Sequence, residues 1–121
     1  MKEIKIVFFD IDGTLIDINK KQISEKMLET LHRLKDKNVI LCIATGRPPL
    51  NLPAFKELFG VFLTFNGSYC FNRQQVILSN PLDGMDVQRI IKNATVSMTL
   101  SGKYYVSILV ETKEVTIKPI L

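Results

Sequence analysis

A chain of 121 residues with 46% hydrophobic and 23% charged residues carries enough apolar material for one core, and its formal charge of +4 is dispersed among acids rather than gathered into a basic block. That distribution argues against a nucleic-acid partner, and the absence of any apolar run near the roughly 20 residues that cross a bilayer argues against a membrane one. The chain opens on a short strand rather than a leader, and Cys42 and Cys70 sit inside apolar runs as reduced core thiols, so a cytoplasmic location is expected.

Residues 4–9 place Ile4, Ile6, Val7, Phe8 and Phe9 around Lys5 and stop at Asp10, the pattern of a first strand buried on both faces of a parallel sheet. Ser24 is placed to cap a helix reaching about Lys37. There Met27, Leu28, Leu31 and Leu34 recur at helical spacing, with Glu25, Lys26, Glu29 and Lys35 on the wet side. His32, the single histidine, lies on that helix with no Cys or Ser beside it and reads as structural. A second buried strand over 39–44 ends at Thr45, Gly46 and Arg47, and Pro48 and Pro49 force a loop. Pro53 starts a short helix to about Phe59, Gly60 stops it, and a third strand over 61–65 ends at Asn66 and Gly67. This repeated order predicts an α/β sheet with right-handed crossovers.

Beyond Gly67 the rhythm changes to a different module. Residues 69–71 and 76–78 read as a hairpin around 72–75, Pro81 breaks the chain, and a helix opens at Gly84 or Asp86 and fades near Ser97. Two β-rich runs follow, 104–110 and 115–118, joined by a turn over 111–114. Asp83 and Asp86 read as a turn and helix start rather than as a ligand-binding pair.

A buried strand that finishes in Asp10, Ile11, Asp12, Gly13 and Thr14 sets two carboxylates at the C-terminal edge of the sheet, where open α/β folds bind ligands. On an extended strand both would point the same way, but Gly13 lets the chain turn, so the two can take different stations around one phosphate. A carboxylate beside a divalent cation is a competent nucleophile toward phosphorus, and a second carboxyl can protonate the leaving oxygen.

With Gly13, Thr14 and Leu15 after the acids and Ala44, Thr45, Gly46 and Arg47 closing the next strand, the chain resembles the haloacid dehalogenase-like hydrolase superfamily. Ile43 to Arg47, followed by Thr64, Phe65, Asn66, Gly67 and Ser68, looks like its Cof-type subgroup. The resemblance implies that Asp10 is the nucleophile that forms an aspartyl-phosphate and Asp12 the general acid and base. It also implies that the Asp10 carboxylate and the Asp12 carbonyl hold magnesium. Thr45 and the amides after it would hold phosphoryl oxygens, with Gly13, Thr14 and Gly46 shaping the approach. Arg47 has two open roles, reaching phosphate or pairing with a surface acid. Asn66 with Gly67 either lies near the substrate or only forms a turn.

The resemblance further implies a magnesium-dependent phosphohydrolase of small phosphorylated metabolites such as sugar phosphates. A catalytically weak, phosphate-binding or self-associating relative is the alternative. The family's third-motif Lys and its Gly-Asp fourth motif are not recognisable, and no Asp follows Asp86, so magnesium is expected to be held weakly. The expected architecture is a Rossmann-like three-layer core with an incomplete parallel sheet over residues 1–81, then a partial α+β cap with antiparallel hairpins over 82–121. Without the later strands, Ile6 to Phe9 becomes an open edge, and the chain is expected to pair there as a homodimer, to cover the edge by rearranging its last strands, or to be marginally stable.

Overall fold

A computed structural model describes residues 2–101, 106–110 and 113–117, with side chains described through residue 93. The chain divides into two units, Met1–Leu78 and Ser79–Leu121.

In the first unit β1 (Ile6–Phe9), β2 (Ile40–Ala44) and β3 (Val61–Thr64) run parallel, and β4 (Tyr69–Asn72) and β5 (Val76–Ser79) extend the sheet in the order β1-β2-β3-β4-β5. Phe9 lies opposite Ile43, Ile43 opposite Phe62, and Phe62 opposite Phe71 across the antiparallel β3–β4 pair. Because β1, β2 and β3 are parallel, their C-terminal ends deliver Asp10, Thr45 and Phe65 to one edge of the sheet.

Helix α1 (Glu25–Asp36) starts where Ser24 accepts a hydrogen bond from the Met27 N–H at 3.2 Å, and Asn38 in the left-handed region (φ 59°) turns the chain into β2. Its Leu31 packs with Leu41, Ile43, Phe59 and Phe62 into one core that also takes in Ile11, Leu15 and Ile16. The Phe9 and Phe59 rings meet edge to face at a centroid distance of 6.0 Å.

Several sequence expectations change. Strand β1 begins at Ile6 rather than Ile4 and is not buried on both faces: Ile6 is 44% and Phe8 54% exposed, because they point away from the α1 side on a strand that forms the sheet edge. The helix expected after Pro53 is a 3₁₀ segment, Ala54–Leu58, and another, Pro49–Asn51, precedes it. Three prolines close together leave runs too short for an α-helix. The hairpin of β4 and β5 joins the core sheet, its turn set by the Asn72 side chain accepting from the Gln74 and Gln75 N–H groups, each at 2.8 Å.

In the second unit α2 (Gly84–Ser101) opens where the Asp83 carboxylate accepts from the Met85 N–H at 2.9 Å, as a helix start should. It continues past Ser97 because the first strong breaker in the sequence is Gly102. Strands β6 (Val106–Val110) and β7 (Lys113–Ile117) pair antiparallel, so Lys113 and Glu114 belong to a strand and not to the turn. The expected strand ends at residues 104, 105 and 118, and the turn at 111–112, lie outside the described residues.

Candidate active site

The acidic loop is built around one buried residue. Ile11 is fully buried, and its carbonyl accepts from the N–H groups of Thr14, Leu15 and Ile16 at 3.3, 3.0 and 2.9 Å, while the Gly13 N–H reaches the Ile16 carbonyl at 2.9 Å. Gly13 takes φ +82°, which an L side chain would resist. Anchoring Ile11 inward leaves Asp10 and Asp12, its neighbours on either side, exposed. One Asp10 oxygen accepts from the Ile11 N–H at 2.9 Å.

The next two loops are laced together. Thr45 is buried, its N–H donates to the Leu63 carbonyl at 2.9 Å, and its hydroxyl accepts from the Arg47 N–H at 3.1 Å. The Asn66 N–H donates to the Thr45 carbonyl at 3.0 Å and the Phe65 N–H to the Arg47 carbonyl at 3.2 Å. To make these bonds Phe65, Asn66 and Gly67 all adopt positive φ, 49°, 55° and 91°. Such left-handed backbone is costly for Phe65 in particular, and strain of this kind concentrates at functional loops. The turn carries the Asn66 amide oxygen to 3.0 Å from where a Cβ on Gly46 would stand, so the glycine is what permits the approach.

Asp10, Thr45, Gly46, Asn66 and Gly67 thereby line one cavity of about 310 Å³, with Ala44 and Leu63 as its apolar wall. The sequence reading missed the last two. Their signal was their position as paired residues at or near the strand ends. Gly13 and Thr14 are not brought there; they line a separate cavity of about 320 Å³ with Asp17, Lys20 and Ser24.

Asp12 and Arg47 do not line the first cavity either; they hold each other. Arg47 Nε donates to one Asp12 oxygen at 2.9 Å, Nη2 to the other at 2.6 Å, and Nη1 to the Asn51 carbonyl at 3.0 Å. Of the two roles open to Arg47, this geometry has it paired with an acid, and the acid is Asp12. The guanidinium keeps the Asp12 carboxyl below the usual carboxylate range, chiefly through its hydrogen bonds.

Magnesium favours about six oxygen ligands in octahedral array. The Asp10 carboxylate and Asp12 carbonyl are of the right type, yet among the described residues there is no cluster of three or more acidic or other metal-ligating side chains. The fit is therefore incomplete in number.

Residues 7–117 match the family described as haloacid dehalogenase-like hydrolase. The chain is 36% identical over 92 residues to the putative phosphatase YkrA of Bacillus subtilis (strain 168), an alignment covering 74% of this chain and 35% of that protein. It is 35% identical over 86 residues to the HMP-PP phosphatase of Yersinia pestis (strain Pestoides F), covering 69% of this chain and 30% of the relative. Among solved structures, a sugar phosphatase of haloacid dehalogenase subclass IIB superposes with a TM-score of 0.68 at 28% identity, over 93% of this chain and 43% of that one. The chain thus spans about a third of the length of these curated relatives. The sequence match, the parallel strands and the cavity at their ends agree: the chain belongs to the haloacid dehalogenase-like hydrolase family.

Proposed function

We propose that this chain carries the nucleophile half of a magnesium-dependent, Cof-type phosphohydrolase acting on small phosphorylated metabolites, with sugar phosphates as the substrate class. The observation that supports it best is the convergence of Asp10, Thr45 and Gly46 on one cavity at the ends of parallel strands. In this reading Asp10 attacks phosphorus while the bond to the leaving oxygen breaks, and Asp12 gives that oxygen its proton. Water then attacks the aspartyl-phosphate, losing its proton to Asp12 and releasing phosphate from Asp10. The Thr45 hydroxyl and nearby amides hold the phosphoryl oxygens. Bound magnesium would supply charge neutralisation between Asp10 and the phosphate dianion.

Hydrolysis of an aryl phosphate with magnesium, measured beside Asp10→Asn, tests this. Loss of at least about a thousandfold in the variant is expected for removal of a nucleophile. Hydrolysis that survives the substitution removes Asp10 from that role. The small number of acidic ligands among the described residues favours a second reading, a phosphate-binding module of low turnover. Absence of turnover in both proteins with retained binding of inorganic phosphate would select it, and Thr45→Ala should then weaken that binding.

The finer expectations on setting and assembly stand as proposals too. Among the described residues no helix is long and apolar enough to cross a membrane, and Cys42 and Cys70 are buried free thiols, which suits a reducing cytoplasm. The position of β1 at the sheet edge supports pairing of a second copy along it.

A further inference from the structure

We propose that the left-handed turn Phe65–Gly67, with Asn66 at its centre, is a positioning element that aims the Gly46 N–H at a phosphoryl oxygen held beside Asp10. The inference rests on the reading that the amides after Thr45 hold phosphoryl oxygens, and it names what holds one of those amides in place.

Thr45 follows β2, which lies between β1 and β3. Its N–H donates to the Leu63 carbonyl on β3 and its carbonyl accepts from the Asn66 N–H, so both point to the β3 side. The peptide that joins Thr45 to Gly46 is planar and trans, with its carbonyl and its N–H on opposite edges. Fixing the Thr45 carbonyl toward the third loop therefore sends the Gly46 N–H the other way, toward the end of β1, where Asp10 stands. Gly46 and Asp10 line the same cavity, and among the described residues the Gly46 N–H has no protein acceptor.

Gly46 needs such a brace. Glycine is what admits the Asn66 side chain, and glycine also lets a peptide plane rotate more freely than any other residue. Two bonds from the third loop, Asn66 N–H to the Thr45 carbonyl and Phe65 N–H to the Arg47 carbonyl, tie the residues on either side of it. The turn itself is closed by the fully buried Thr64, whose hydroxyl donates to the Tyr69 carbonyl at 2.8 Å, and by the Cys70 thiol, which donates to the Gly67 carbonyl at 3.3 Å. These bonds hold Phe65 and Asn66 at φ 49° and 55°, where Asn is tolerated and Phe is strained. Right-handed backbone at the two residues would relieve that strain and redirect the N–H groups on which the second loop depends. A donor fixed before the substrate arrives needs no reorganisation as charge develops on the phosphoryl oxygens.

Amide nuclear magnetic resonance of the whole chain, titrated with inorganic phosphate in the presence of magnesium, tests this. In the wild type the Gly46 amide signal should move as phosphate binds. Asn66→Gly keeps the N–H and accepts left-handed backbone, so phosphate should bind within about threefold of wild type. Asn66→Val keeps the N–H too, but a β-branched residue resists φ 55°, so binding should weaken at least about tenfold and the Gly46 signal should cease to follow phosphate. Asn66→Ala, which strains the turn less, should fall between the two and replaces Asn66→Val if that variant does not fold.

Loss of phosphate binding in Asn66→Gly as large as in the strained variants would make the Asn66 side chain itself a ligand and overturn the inference. Binding as tight as wild type in the strained variants overturns it as well, because the conformation of the turn would then not matter. Phosphate that leaves the Asp10, Thr45 and Gly46 signals of the wild type unmoved refutes instead the phosphate-site reading, and the inference with it.

Discussion

The two faces of the five-stranded sheet are both apolar and meet different surroundings. On the face toward α1, Leu41, Ile43 and Phe62 are buried with Leu31 and Phe59, and none is more than 6% exposed. On the other, Cys42 is fully buried and Cys70 is 8% exposed, whereas Ile6, Phe8 and Ile40 at the β1 end are all at least 44% exposed. The strand pairing puts Ile6 beside Ile40 and Phe8 beside Cys42, so the exposed side chains form a patch at one end of that face. Hydrophobic patterning reports what a strand is able to bury; the elements packed on it decide what is buried. An apolar residue therefore contributes to stability chiefly where another element covers it, on either face.

The largest expected effect breaks the covered face. Ile43→Ala removes buried methyl groups from the centre of the core and should cost about 2–5 kcal/mol of unfolding free energy in a denaturant titration. A loss below about 1 kcal/mol would mean that this face is no better packed than the open one.

Next in size is the rim where the strands end, and there backbone conformation rather than burial sets the cost. Gly67 has φ +91° with open space around it, so Gly67→Ala should lose about 1 kcal/mol through strain alone. Gly60 also has open space and no positive φ, so Gly60→Ala should be neutral or gain about 0.5 kcal/mol. Equal effects from the two substitutions would remove strain from the account of the Phe65–Gly67 turn.

That rim also shows where sequence reading succeeds and where it stops. The order of strands and helices along the chain and the capped helix were legible because each depends on local pattern, a run of apolar residues or an N-cap, whereas the grouping of Thr45, Gly46 and Asn66 with Asp10 was an expectation from the family resemblance. The Arg47–Asp12 clamp was not legible, since it joins residues 35 positions apart through side-chain geometry that no spacing rule encodes. Both sides of β1 looked equally buried in sequence for the same reason: Ile6 and Phe9 are alike as residues and differ only in what the fold brings over them.

A smaller effect comes from the clamp itself. Its pairing holds the Asp12 carboxyl below its ordinary value, so the associated stability is present above the unfolded value near 4 and disappears as pH falls through the folded value. The pair is well exposed, so the contribution should stay under about 1 kcal/mol. The gap in thermal midpoint between wild type and Arg47→Ala should accordingly be steady from pH 7 to about pH 5 and narrow below about pH 4. A gap independent of pH down to pH 3 would show that the clamp does not stabilise the ionised carboxylate.

The smallest effect on stability is expected on the open face, and it sharpens the comparison most. Phe8 is 54% exposed on the edge strand, so Phe8→Ser removes little buried surface and should change the unfolding free energy of the isolated chain by no more than about 0.5 kcal/mol. Its consequence should appear in assembly. If a second copy pairs along β1, Phe8 lies within the paired strand, and the substitution takes an aromatic out of it. Light scattering across a concentration series should then show the wild type associating and Phe8→Ser remaining monomeric at concentrations where the wild type does not. Hydrogen exchange at residues 6–9 should slow with concentration in the wild type alone, because edge amides gain partners only in the dimer. A wild type that stays monomeric with its β1 amides fully protected would place the partners of that edge within the chain and end the case for pairing.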